Sequence, residues 1–174
     1  MTENCLNIAT FVEAAFKKHP DKVAVHFPHS RDKDDRVAYT HLTYAQFNEE
    51  SNRFANGLLE RGVGPGSRVS LLVPPSLEFV ALFFALLKIG AVPVLVDPGM
   101  GVFRMVSCIG EVTPDAYIGI PMAHVARVMF PKHFRSVKLP VTIGKRWLWG
   151  GITLRQLRSQ NDKPVEIFQG NKDE

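Results

Sequence analysis

The sequence predicts an α/β fold: a three-layer, mostly parallel sheet with helices on both faces, plus an N-terminal hairpin. Three observations carry this prediction. Segments with apolar residues at helical spacing alternate with short apolar runs along most of the chain. A strand, a helix and a second strand follow one another within residues 68–96, which calls for parallel pairing through a right-handed crossover. Both strands of that unit are continuous apolar runs, the pattern of a sheet covered on both faces.

The first helix is expected over Asn7–His19, where Ile8, Phe11, Val12, Ala15 and Phe16 recur at spacings of three and four. Asn7 is placed to cap it and Pro20 to stop it. Lys22–Phe27 alternates as a strand, Pro28–Arg36 reads as a charged loop, and Val37–Thr40 completes a hairpin. Thr43 opens the clearest helix, because Thr43 and Gln46 have capping-box spacing. Its inner face is Tyr44, Phe47, Ser51, Phe54, Ala55, Leu58 and Leu59, and Gly62 is the expected stop.

Strand Arg68–Val73 follows, then a helix over Ser76–Ile89 that is apolar almost all round and therefore buried on most sides. Glu78 in its first turn and Lys88 in its last suit the helix dipole. Gly90 ends it and Val92–Val96 is the next strand. The alternation continues with helix Gly101–Val112, strand Asp115–Ile118, helix Pro121–Phe130 with proline at its first position, strand Val137–Ile143 and a short helix Thr153–Arg158. Residues 1–159 form one lobe. From Gln160 to Glu174 the chain turns polar and reads as a linker or frayed end.

At 174 residues, with 45% apolar and 22% charged residues, the chain has the makings of a real core, which excludes general disorder. Two cysteines, Cys5 and Cys108, exclude a disulfide scaffold or a cysteine-rich zinc module. No secretory signal opens the chain, and the greasy stretch Leu71–Val96 is interrupted by charges, prolines and glycine. A soluble, cytoplasmic protein without a membrane span is expected. The net charge of +4 is unevenly spread. Between Tyr117 and Asn161 there is no Asp or Glu, while Arg127, Lys132, Arg135, Lys138, Lys145, Arg146, Arg155 and Arg158 all fall there. These cations are scattered rather than set in one run, so they read as a face meeting an acidic neighbouring domain or subunit. Nucleic acid is not the expected partner, although Tyr117, Phe130, Phe134, Trp147 and Trp149 lie in the same region.

Candidate chemistry is sparse. Gly62, Gly64 and Gly66 follow a helix and open a strand, the reverse of a phosphate loop, and read as a turn. Asp97-Pro98-Gly99-Met100-Gly101 does join a strand to a helix at the carboxyl edge of a parallel sheet, but it has neither phosphate-loop nor dinucleotide spacing. A structural turn is the expectation there, with ligand contact as the alternative. His26 and His29 flank Pro28 near Asp32, Asp34 and Asp35, on a strand end and a solvated loop where convergence on a metal is not expected. His41, His124 and His133 have no acid or nucleophile partner by spacing, and Cys108 on a helix face reads as a buried structural thiol. No catalytic, cofactor-binding or metal-ligating residue is therefore assigned.

The run LTYAQFNEESNRFANGLLERGVGPGSRVSLLVPPSLEFVALFFALLKIGAVPVLVDPG resembles the amino-terminal region of adenylate-forming enzymes, the superfamily of acyl-CoA synthetases, luciferases and peptide-synthetase adenylation domains. Leu42-Thr43-Tyr44 resembles its first core motif and Leu87–Val94 its second. VDPGMG, YIGIPMAHVARV and WGGITL look most like the β-lactone synthetase branch of bacterial olefin biosynthesis, whose members are often labelled fatty-acyl-CoA ligases. The resemblance spans about residues 6 to 157.

The family's phosphate loop, its adenine- and ribose-binding motifs, its hinge and its catalytic lysine lie beyond the matching region. The resemblance therefore implies a truncated N-terminal lobe of an AMP-binding, acid-activating ligase, itself inactive. It implies ATP and Mg for the intact enzyme and none for this fragment. The intact substrate implied is a β-hydroxy fatty acid, going to a β-lactone or acyl-CoA. The partners implied are the remainder of the adenylation domain or sister enzymes of an olefin-pathway complex. Thr43, Tyr44, Gly90 and Pro93 match motif positions, but their evident work is capping, packing and turning. Leu77, Phe79, Phe83 and Leu86 are candidates for an acyl-pocket wall, with ordinary core the main expectation. The rival reading is a non-catalytic binding or assembly module that uses its basic segment to dock an acidic protein or nucleic acid.

Overall fold

The computed structural model describes residues 7–31 and 37–170. Cys5, Asp32, Asp34 and Asp35 lie outside the described residues. Helix α1 spans Ile8–Lys18, capped by the Asn7 side chain, whose Oδ1 accepts from the Ala9 amide at 2.9 Å. Strands β1, Val23–Arg31, and β2, Val37–Thr43, pair antiparallel as a separate two-stranded sheet. Both run further than the sequence suggests. The expected loop at Pro28 remains strand because Pro28, Ser30 and Arg31 pair with Tyr39, Ala38 and Val37. A two-stranded ribbon has only edge strands, so a proline without an amide proton is tolerated there.

Helix α2, Tyr44–Leu59, carries the expected capping box: Gln46 N–H donates to Thr43 Oγ1 at 3.3 Å, and Thr43 N–H to Gln46 Oε1 at 2.9 Å. The remaining elements wind a parallel sheet. They are β3 Arg68–Leu72, α3 Leu77–Lys88, β4 Val92–Leu95, α4 Val102–Val112, β5 Ala116–Gly119, α5 Pro121–Met129, β6 Leu139–Thr142, β7 Ile152–Thr153 and α6 Leu154–Leu157. The strand order is β4-β3-β5-β6-β7 and all neighbours are parallel. The two-residue β7 was not expected, and α6 is held by a second capping box between Thr153 and Gln156.

Two apolar layers sandwich the sheet, as residues of opposite parity along a strand must. Val69 and Leu71 of β3 and Ala116 and Ile118 of β5 join α1, α2, α3 and α6 in the larger core. Leu72 and Tyr117 turn the other way, onto Met105 and Ile109 of α4 and Ala123 and Ala126 of α5. The expectation that both strands of the first βαβ unit are covered holds for β3 alone. β4 is an edge strand with Val92 47% and Leu95 56% exposed. Pro93 fits such an edge.

The tail from Gln160 has no helix or strand as far as Gly170, yet it is fastened where a linker or frayed end was expected. Phe168 N–H donates to Lys88 O at 2.8 Å, and Asn56 Nδ2 donates to Asn161 O and Lys163 O at 3.2 and 3.0 Å. Asn7 Nδ2 donates to both Leu87 O and Phe168 O. Side-chain amides thus take the place of a ladder, which composition does not reveal.

Candidate functional site

Three strands deliver their carboxyl ends to one place. Pro74 and Pro75 stop β3, and Ser76 then caps α3 by accepting from Phe79 N–H at 3.1 Å. β5 ends at Gly119, after which Ile120 and Pro121 start α5. The chain leaves β3 toward β4 on one side and returns to β5 on the other. The crevice between them is therefore the topological switch point, where ligands of open α/β sheets bind.

A cleft of about 640 Å³ opens there. Val73, Pro75, Val96, Phe103, Met122 and Met129 are among its walls, and every lining residue is apolar. Such a site takes hydrocarbon or the apolar face of another protein segment. It offers no acid, base or nucleophile, and no side chain for a phosphate or metal. The predicted wall residues Leu77, Phe79, Phe83 and Leu86 are not brought to it. Leu86 is buried in the larger core, and Phe79 and Phe83 pack against that core. The cleft's own residues escaped sequence reasoning because they come from four separate segments that only the crossover assembles.

The Asp97–Gly101 turn lies beside this edge as a single turn of 3-10 helix, Pro98–Met100. Gly99 N–H donates to Asp97 Oδ1 at 2.7 Å, so its amide is spent on the turn and a carboxylate sits where an anion would have to approach. The turn reading stands on this geometry. Gly62 and Gly66, at φ +78° and +74°, likewise make a turn, with Gly66 N–H on Gly90 O. His26 and His41 are directly cross-strand on the hairpin, with ring centroids 5.9 Å apart. Among the described residues no group of three or more His, Cys, Asp and Glu is placed to hold a metal. Cys108 is half-buried rather than buried.

A second cluster has chemistry-bearing groups but spends them internally. His124 is fully buried. Arg127 Nε donates to its Nδ1 at 3.3 Å, which leaves Nε2 as the protonated nitrogen, donating to Val141 O at 3.0 Å. Arg127 also donates to Trp149 O. Tyr117 Oη donates to Ala123 O at 3.0 Å, and burial pushes its phenol above the ordinary range. Burial, with the Arg127 charge adding to it, lowers the His124 pKa, while the Val141 carbonyl resists. The imidazole is neutral when folded, so its contribution to stability is present above its ordinary value of 6.5 and is lost as pH falls below it. We expect the urea midpoint to fall on acidification below pH 6.5, and His124→Leu to flatten that slope.

The third site, a second polar one, was not expected from the sequence. Lys88, expected as a dipole cation at a helix end, is only 2% exposed. Its Nζ donates to Asn48 Oδ1, Ser51 Oγ and Asn52 Oδ1 at 2.7, 2.8 and 2.6 Å, and lies 5.5 Å from the centre of the Phe16 ring. Burial lowers its pKa to about 8, against the pull of the Glu13 carboxylate. The available signal was Ser51 inside an apolar face with Asn48 and Asn52 beside it, an i, i+3, i+4 cluster.

The uneven charge is settled in part within the chain. Arg158 pairs with Glu50, Lys138 with Asp115 at 3.3 Å, and Arg127 turns inward. The acidic neighbour expected for the basic segment is thus in part an earlier stretch of the same chain.

Residues 12–149 match the family described as AMP-binding enzyme. The chain is 41% identical over 158 residues to the olefin beta-lactone synthetase of Xanthomonas campestris pv. campestris, covering 90% of this chain and 28% of that protein. It is also 41% identical to the protein of the same description from Stenotrophomonas maltophilia, covering 90% of this chain and 29% of that one. The anthranilate CoA ligase AuaEII, solved with anthranoyl-AMP, superposes with a TM-score of 0.80 at 22% identity, over 95% of this chain and 30% of that one. The chain thus spans less than a third of the length of these relatives.

Proposed function

The chain belongs to the AMP-binding enzyme family, and from that premise we propose that it is the N-terminal sheet lobe of a ligase that activates a fatty acid as its acyl-adenylate. The observation that carries this reading is the 41% identity to olefin beta-lactone synthetases across 90% of the chain. The substrate proposed for the intact enzyme is a β-hydroxy fatty acid. Its carboxylate takes AMP from ATP and releases pyrophosphate. Its own hydroxyl oxygen then bonds to the acyl carbon, AMP leaves with the acyl C–O pair, and the hydroxyl proton passes to solvent.

The residues present do not fit ATP or Mg. The cleft is lined by apolar residues, the Gly99 amide is engaged, and no group of three or more His, Cys, Asp and Glu among the described residues is placed to hold a metal. No step is therefore assigned to a residue of this chain. Its proposed work is to supply sheet scaffold and, in the apolar cleft, a seat for the remainder of the adenylation domain. Exposed Phe103, Met122 and Met129 at the rim support that use, because a free-standing domain rarely bares such a patch.

Two measurements test the reading. The chain alone, with ATP, Mg and β-hydroxy fatty acids, is expected to give no ATP–pyrophosphate exchange, and reproducible exchange would overturn its assignment as a scaffold. A chimera carrying residues 6–157 in place of the matching segment of the Xanthomonas relative is expected to retain exchange and lactone formation. A folded chimera with neither activity sinks the proposed function.

A further inference from the structure

Between β6 and β7 the chain makes an excursion over residues 144–151 that holds both of its tryptophans, Trp147 and Trp149. The base of the excursion is built into the fold. Trp149 Nε1 donates to Thr142 Oγ1 at 3.0 Å, and its ring stacks on buried His124 with centroids 5.8 Å apart. Gly151, at φ +77°, presses so close to β6 that a Cβ there would lie 2.2 Å from Pro140 O. The tip is the opposite. Trp147 stacks on Trp149 at 5.9 Å yet stays 71% exposed, and Leu148 beside it is fully exposed. Lys145 and Arg146, just before them, are exposed as well.

A rigid foot thus holds an indole and an isobutyl group in water next to two cations, in a stretch from Tyr117 to Asn161 that has no carboxylate. Water is a poor medium for both side chains. The charge complement of this tip is an anionic surface, and its apolar complement is hydrocarbon. Indole prefers the headgroup level of a bilayer, an aliphatic side chain reaches the acyl boundary, and Lys and Arg are drawn to anionic headgroups. A nucleic acid would use the ring and the cations but has no use for a bare leucine, because Leu148 has no π face for stacking bases.

We propose that the tip Lys145–Leu148 docks peripherally on an anionic lipid surface, with Trp147 and Leu148 entering the interface and Lys145 and Arg146 on the headgroups. This is contact from one side: no helix among the described residues is long and apolar enough to cross a membrane. The proposal stands apart from acid activation, since its readout is binding alone.

The test mixes the 174-residue chain with vesicles containing phosphatidylglycerol and with vesicles of phosphatidylcholine only. Both tryptophans report on the excursion, so fluorescence reads the site directly. We expect co-sedimentation with the anionic vesicles, a blue shift of the emission, quenching by brominated lipid and weakening by salt. Lys145→Ala with Arg146→Ala is expected to lower the vesicle affinity roughly thirty-fold. Trp147→Ser with Leu148→Ser is expected to remove the association, with circular dichroism and the thermal midpoint unchanged. Vesicle binding without tryptophan quenching overturns the proposal in favour of the cleft around Phe103. Absence of binding, affinity indifferent to both double variants, or binding to RNA in place of vesicles overturns it too.

Discussion

Lys88→Ala is expected to lower the free energy of unfolding by about 4 kcal/mol, combining a lost buried alkyl chain with three acceptors left dry. The ammonium has three protons and finds three oxygens, Asn48 Oδ1, Ser51 Oγ and Asn52 Oδ1. Removing it leaves those oxygens facing each other between α2 and α3. Lys88→Met keeps most of the volume but removes the charge together with its three donors, so about 2 kcal/mol is expected for it. The pH profile separates this polar knot from mere packing. Burial holds the folded pKa near 8, against the ordinary 10.5 of a free lysine side chain. Between those values the unfolded chain keeps a proton that the folded chain has released, so stability rises with pH. The wild type should gain up to about 3 kcal/mol over Lys88→Met from pH 8 to 10.5, read from urea titrations at both ends. Parallel profiles for the two proteins would show that Lys88 titrates as an ordinary surface lysine.

Gly57→Ala is the second large effect, and its sign runs against helix propensity. Gly57 lies inside α2, where alanine on its own stabilises by about 1 kcal/mol. A Cβ at Gly57 would sit 1.8 Å from the backbone oxygen of Leu157. That oxygen is not free to yield. Leu157 is fully buried in the larger core, and Ser159 N–H donates to Arg53 O at 3.1 Å just beyond it. Alanine must therefore push α6 off α2 and expose Leu157, for a net loss of about 3 kcal/mol. Gly64→Ala is the control, since only the end of the Leu59 side chain, 3.8 Å away, approaches that position. Equal urea midpoints for Gly57→Ala and the wild type would show that α6 is not packed on α2 in this way.

These two residues also mark where sequence reasoning reached and where it stopped. The capping box at Thr43, the stop at Gly62, the proline at the start of α5 and the parallel pairing of β3 with β4 were legible, because each depends on residues close together in the chain. Gly57 gave no signal, since the atom it avoids is a hundred residues away. Lys88 gave a misleading one: a lysine in the last turn of a helix is ordinarily a solvated cation. The edge position of β4 was equally hidden, because an apolar run reads the same whether one neighbour pairs with it or two.

By itself the sequence determined the α/β class, nearly every element, and the resemblance that the AMP-binding match upheld. Local periodicity, caps and motif order are properties of the chain before it folds. The tertiary structure alone decided the rest. It put an apolar cleft at the switch point, buried Lys88 among three side chains of α2, drew the tail over α3, and raised Trp147 and Leu148 on a stacked foot. Each of these joins groups far apart in sequence, and only the winding of the sheet sets their distances in space.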